Sequence, residues 1–322
     1  MSDLILVADI GGTNARFACA AVTGGRITLT DSKKFRAADY KSVSDAASTY
    51  LDAVHVRPMR GCFAVAGPVT DQQIEFTNSP WVLNIAEVAS ALSLRDFRVI
   101  NDFEALAFGV EHLAPNAFVT VKNGVAETIA PTLVIGPGTG LGQSLIVPCR
   151  NGRAVIATEG GHVAYAPCSK EEASIIEFIA REHPRVSLER LLSGDGLVNI
   201  YRALCENSNT GGVSLQAHEV TAAAITGNDA IAEKAVQMFC AMLGSAVGDA
   251  VLSTGARGGI VLGGGILPKI RDLFLSSAFV ERFVAKGRLK YYLADIPVRM
   301  IVGEGAALFG AAAAANENGT DI

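Results

Sequence analysis

An acid closes the first apolar run of this chain and a glycine-threonine turn follows it at once, in Asp9-Ile10-Gly11-Gly12-Thr13-Asn14. A second such segment, Gly136-Pro137-Gly138-Thr139-Gly140-Leu141-Gly142, and a third, Gly263-Gly264-Gly265, also close apolar runs. Glycine lets backbone N–H groups approach an anion, and Thr13 and Thr139 add hydroxyl donors. The turns around Gly11, Gly12, Thr13 and Asn14 and around Gly138, Thr139 and Gly140 therefore read as phosphate cradles, with plain tight turns as the alternative. Neither is a Walker A loop, because the chain contains no Gly-Lys dipeptide. Neither is a dinucleotide fingerprint, because a strand rather than a helix is expected after Gly142. A carboxylate beside a phosphate is repelled unless a cation lies between them. Mg²⁺, held by one or two carboxylates with water and phosphate oxygens, resolves this and makes Asp9 the candidate metal residue, through water; the alternative is a solvated turn aspartate.

Asn101-Asp102 closes another apolar run and opens a helical stretch. Aspartate is a good N-cap, so Asp102 reads as a cap or as a general base that takes the proton of an attacking hydroxyl. Glu159-Gly160-Gly161-His162 sets two hydrogen-bonding side chains around a turn. Glu189 is expected on a short helix, and Asn78 in a turn-rich stretch suited to an Asx turn.

The elements that must position these residues alternate strand and helix, which indicates an α/β fold. Strands are expected at 4–9, 15–20, 26–30, 62–66, 99–100, 133–135, 144–147, 259–262 and 298–302, and helices at 42–54, 102–109, 171–182, 188–192, 197–206, 220–225, 229–251 and 306–315. Strand, Gly-Thr turn, strand occurs twice, at 6–20 and at 133–147, and reads as a weak internal repeat of two domains. The glycines of each hairpin are expected to supply positive φ.

The composition sets limits. Of 322 residues, 50% are apolar and 18% charged, and the net charge is −5. No Lys/Arg run exceeds two residues, so a nucleic-acid partner is not expected, while a nucleotide needs only a local site. The N-terminus lacks a basic segment and a cleavage site, and the longest apolar run, near 305–315, is short for a membrane span. Six scattered cysteines without a C-x-x-C pair suit reduced thiols. A cytoplasmic protein with no membrane partner is expected.

Taken together, the segments are specific. The first two Gly/Thr segments resemble the phosphate motifs of the hexokinase/actin/Hsp70 superfamily, and 259–266 resembles its adenosine motif, with Gly264 and Gly265 at the nucleotide. Within that superfamily the order of 76–81, 100–105, 158–163 and 189–194 resembles the bacterial-type glucokinases outside the ROK group. The resemblance implies a two-domain ribonuclease-H-like (actin-like ATPase) α/β fold. It implies a small domain over 1–110 plus 303–322, a large one over 111–302, and a cleft between them that closes on glucose. It also implies ATP and Mg²⁺, phosphorylation of glucose at the 6-hydroxyl, and a homodimer. Asn78, Asn101, Asp102, Glu159, His162 and Glu189 would bind the sugar, with Asp102 also the base. The Cys-rich zinc motif of ROK proteins is not expected, since Cys168 is the only cysteine in the thirty residues after His162. A different hexose preference, a non-catalytic sugar sensor and a sugar-independent ATPase are the rival readings; a sensor would need a DNA-binding module, for which the first strand at residue 4 leaves no room ahead of it.

Overall fold

The computed structural model describes residues 4–67, 69, 72–76, 81–150, 152–208 and 214–317. The chain divides into two compact units, Met1–Ala117 with Gly303–Ile322, and Phe118–Val302.

In the first unit the strands are β1 (Ile5–Ile10), β2 (Asn14–Thr23), β3 (Arg26–Arg36), β4 (Arg60–Val65), a small pair β5 (Gln73–Glu75) and β6 (Val82–Asn84), and β7 (Asp96–Asn101). The main sheet runs β3-β2-β1-β4-β7. β1, β2 and β3 form an antiparallel meander, and β1, β4 and β7 are parallel. β1 is apolar almost throughout because both of its faces are covered. Leu6, Ala8 and Ile10 enter one core with Val43, Ala46 and Tyr50 of α1 (Val43–Val54). Ile5 and Val7 enter another with Leu308, Ala311, Ala312 and Ala315 of the C-terminal helix Ala306–Asn316. The first face is aromatic, with Phe17 against Tyr50, Phe63 and Phe35. The second is built of small residues, because the C-terminal helix lies tight against α3 (Asp102–Gly109). A Cβ on Gly310 would strike the Ala105 carbonyl, and one on Gly109 the Ala306 carbonyl. α2 (Ile85–Ala91) completes the unit, capped by Asn84.

The second unit carries a sheet ordered β11-β10-β9-β12-β13-β8, from β8 (Phe118–Lys122), β9 (Thr132–Pro137), β10 (Leu141–Cys149), β11 (Gly152–Thr158), β12 (Gly259–Leu262) and β13 (Val298–Ile301). Its helices are α4 (Lys170–Ala180), α5 (Gly194–Asn207), α6 (Ala217–Thr226), α7 (Ala230–Thr254), α8 (Arg271–Leu275), α9 (Phe279–Val284) and α10 (Lys290–Ala294). They share one core with Leu133 and Ile135 of β9 and Ile260 and Leu262 of β12. α7 starts at an Asp229 cap and stops at Gly255 in the left-handed region, as cap chemistry prescribes. It is long and apolar enough to cross a membrane by length and composition, yet 67% of that stretch is buried in the protein. Gly244 and Gly248, four residues apart, let the backbone of α9 approach it: a Cβ on either would meet Phe279 or Phe283.

The two sheets correspond. In each, a three-stranded antiparallel meander leads into two parallel strands, β1-β4-β7 in one and β9-β12-β13 in the other, with β8 added only to the second. The repeat expected from two Gly-Thr hairpins therefore extends over whole sheets. Two local expectations differ. Residues 188–192 form a turn rather than a helix: Leu191 and Leu192 N–H reach the Leu188 carbonyl at 3.0 and 2.7 Å, and Ser193 then caps a fresh helix, α5. The hairpin glycine Gly11 does not take positive φ.

Candidate active site

Because β1, β4 and β7 are parallel, their C-terminal ends lie along one edge of the first sheet, where α/β proteins collect ligands. That edge carries Asp9, the Gly11–Asn14 turn, Gly67 and Asn101-Asp102. The turn closes with Gly11 N–H on the Asn14 carbonyl at 2.9 Å, and the Thr13 carbonyl is tied to Ala37 N–H at 2.9 Å. With ordinary backbone angles, Gly11 needs another reason to lack a side chain. A Cβ there would meet only the Asn14 carbonyl, at 3.8 Å, so packing within the chain does not demand glycine either. The bare backbone leaves room there for a group brought in from outside. Asp9 faces Arg16 across the hairpin, and Arg16 pairs with Glu304 at 2.9 Å. Burial raises the Asp9 carboxyl above its ordinary value and Arg16 pulls it back.

At Asn101-Asp102 the structure decides which residue is the cap. Asn101 Oδ1 accepts from Phe103 and Glu104 N–H at 2.9 and 3.3 Å, and its Nδ2 donates to the Gly67 carbonyl at 3.0 Å. Asn101 is thus the N-cap of α3, and one amide N–H is left to offer a ligand. Asp102 is the first helical residue, half-buried, with Oδ1 accepting from Phe103 N–H at 2.9 Å. It lies at the positive end of the helix.

In the second unit β9 and β12 are parallel, so the Gly138–Gly140 turn and Gly263-Gly264-Gly265 sit side by side. Gly136 packs directly on Gly263, and Gly264, at φ +83°, on the Pro137 carbonyl; these glycines serve the packing. Gly138 and Gly265 differ. Neither has positive φ, and an added Cβ would meet nothing closer than 3.9 Å at Gly138 and nothing within 4 Å at Gly265. Their bare backbone forms an open cradle with room for a group the size of a phosphate. Thr139 is exposed at the tip.

Glu189 braces this cradle. Its Oε2 accepts from Leu141 N–H at 2.9 Å and lies where a Cβ of Gly140 would be. Its own N–H donates to the Gly161 carbonyl at 2.9 Å, and its carbonyl receives Ser193 Oγ at 2.7 Å. The Glu159–His162 turn is joined to the same knot. Gly160 packs on the side-chain amide of Gln143, which a Cβ would have to displace, and Gly161 on the Leu141 carbonyl, which leaves a Cβ no room. Glu159 and His162 project outward, 61% and 58% exposed, with Oε2 and Nε2 3.8 Å apart. The structure therefore brings Glu159, His162 and Glu189 together with Gly138–Gly140 in one unit, and Asp9, Asn101 and Asp102 together in the other. Asn78 lies outside the described residues. No cluster of three or more His, Cys, Asp or Glu suited to a metal occurs among the described residues. A single carboxylate beside a phosphate cradle fits a Mg²⁺ ion that takes its remaining ligands from phosphate and water.

The glucokinase family model matches residues 6–318. The chain belongs to the glucokinase family. A glucokinase of Paramagnetospirillum magneticum is 42% identical over 304 residues, 94% of each chain. The crystal structure of a glucokinase from an Antarctic psychrotroph superposes with a TM-score of 0.86 at 38% identity, over 98% of this chain and 99% of that one. The fold extends to a ROK-family glucokinase of Streptomyces griseus, crystallised with glucose and AMPPNP, at a TM-score of 0.65 and 19% identity, over 96% and 98% of the chains. The paired sheets of this glucokinase-family chain are those of the actin-like ATPase fold.

Sequence reasoning left unread Gln143 under Gly160, Glu304 as the acid that Arg16 pairs with, and Glu172 with Arg282. Each acts through a residue distant in sequence, so no local pattern marks it.

Proposed function

We propose that this protein phosphorylates glucose at the 6-hydroxyl with ATP, giving glucose 6-phosphate and ADP, and that Asp102 is the general base. Family membership supports the reaction. The observation that carries the role of Asp102 is the division of labour at α3: Asn101 caps the helix, and the Asp102 carboxylate stands at its positive end, on the sheet edge that bears the Gly11–Asn14 turn. The O6–phosphorus bond forms as the bond from the γ-phosphorus to the β–γ bridging oxygen breaks. The O6 proton passes to Asp102, and ADP leaves.

Asn101, Glu159, His162 and Glu189, with Asn78, contact the sugar hydroxyls. Such a polar set discriminates, because an analogue that lacks a hydroxyl leaves a partner unpaired. Gly11, Gly12, Thr13 and Asn14 in one unit, and Gly138, Thr139, Gly140, Gly264 and Gly265 in the other, receive the nucleotide through backbone N–H groups and hydroxyls. Asp9 would hold Mg²⁺ through water, and the ion would offset the phosphate charge. The same reading makes the enzyme a cytoplasmic homodimer; its six cysteines are all free thiols, as a reducing compartment keeps them.

The experiment is sugar-dependent release of ADP from Mg·ATP with glucose, a panel of other hexoses, and no sugar. Glucose-stimulated release is expected. Release that ignores sugar would move the protein to the ATPases and strip Glu159, His162 and Glu189 of their roles.

A further inference from the structure

Glu172 is a charged side chain that the reaction does not use, yet it is 2% exposed. It lies in the first turn of α4, and every bond recorded for its carboxylate leads to one of two places. Oε1 takes Arg282 Nη1 of α9 at 2.7 Å. Oε2 takes the Tyr165 hydroxyl at 2.9 Å and the Cys168 N–H at 2.7 Å. Arg282 is fixed in turn: its Nε donates to Ser245 Oγ of α7 at 3.0 Å, and its Nη2 lies 3.5 Å from the Tyr165 hydroxyl. Tyr165 and Cys168 belong to the segment that leaves the Glu159–His162 turn. That segment is otherwise tied by the Val163 and Gly161 carbonyls, which accept from Leu188 and Glu189 N–H at 2.8 and 2.9 Å, by Tyr165 N–H on the Val186 carbonyl at 3.5 Å, by the Ala164–Ser187 bridge, and by Cys168 Sγ at 3.9 Å from Ser245 Oγ of α7. His162, Val163 and Ala164 are exposed, so packing does not hold them.

We propose that the Glu172–Arg282 pair is a positioning device: it clamps residues 163–168 to the α4–α7–α9 layer and thereby fixes Glu159 and His162 for the sugar. The inference rests on the reading that those two residues contact glucose. A buried ion pair is a poor source of net stability compared with apolar side chains of the same shape, so a clamp made of one is explained better by the geometry it imposes. The carboxylate is held ionised: burial alone would raise it, and the bonds from Arg282, Cys168 N–H and Tyr165 outweigh burial and bring it below its ordinary value.

The test uses the intact enzyme and three variants. Tyr165→Phe removes one strap bond and leaves the ion pair; Glu172→Met removes the clamp, with Glu172→Met/Arg282→Met restoring an uncharged core. Amide hydrogen exchange over 159–168 and steady-state kinetics are read together, with His162→Ala as the control for sugar contact. The expected result is faster exchange in the strap and a glucose KM raised about threefold in Tyr165→Phe and about tenfold in both Met variants, with kcat and the ATP KM within about twofold. The double variant decides against a merely structural role, because its stability returns while its glucose KM stays high. Unchanged strap exchange in the folded variants overturns the clamp. Faster exchange with a normal glucose KM, while His162→Ala raises it, overturns the positioning role. If His162→Ala also leaves glucose KM unchanged, the sugar-contact reading falls and the anchoring of the strap stands.

Discussion

At Asp102 two neighbouring side chains divide what either might have done alone. Asn101 satisfies the first amides of α3, and the adjoining carboxylate stands at the positive helix end. The glycines divide in a similar way. Gly138→Ala adds a methyl group that meets no atom of the chain closer than 3.9 Å, so the protein is expected to melt within about 0.5 kcal/mol of the parent while the ATP KM rises. Gly136→Ala drives a methyl group into Gly263 and is expected to unfold the second unit or cost at least about 3 kcal/mol. Thermal melts alongside ATP kinetics check both. Glu172 supplies a pH prediction. Its folded carboxyl titrates below the ordinary value of 4.5, so its stabilisation is complete above that value and is lost as pH falls through the lower folded value. Melting temperature measured from neutral pH down through this window is expected to fall less steeply in Glu172→Met/Arg282→Met than in the parent.

Among the elements, the C-terminal helix shows what its composition was for. Eight of its eleven residues are alanine or glycine, and Gly310 brings its backbone against Ala105 of α3. Gly310→Ala is expected to cost about 2–4 kcal/mol, read as a lower denaturant midpoint with unchanged slope. Much of this level was legible in the sequence. α1 begins after Ser42, β12 occupies 259–262, and α7 follows its three- and four-residue spacing to a Gly255 stop, because caps and periodicity are local signals. β11 and β8 were not legible. β11 is an edge strand with much of its surface exposed, and β8 is half-buried on either side of an exposed Thr120, so neither shows a buried apolar run. The expected helix at 188–192 fails for another reason: its residues are held by Val163, Gly161 and Leu141, whose pull no local pattern records. The site divides along the same line. The residue types at Asp9, Asp102, Glu159, His162 and Glu189 were visible, and what holds each in place was not.

For the whole molecule, two units with corresponding sheets each present a Gly-Thr turn at the end of the first strand of a meander. Bound nucleotide and sugar add their binding free energies to folding, about 2.7 kcal/mol at one hundred times Kd. Mg·AMPPNP is therefore expected to raise the melting temperature, and EDTA to remove most of that rise while leaving the rise due to glucose alone. The central claim is that Asp102 takes the O6 proton. The measurement that tests it most directly is kcat of Asp102→Asn beside its glucose affinity by calorimetry. The account predicts a kcat lower by at least about 10³-fold with a glucose Kd within a few-fold of the parent. A kcat near that of the parent would contradict it.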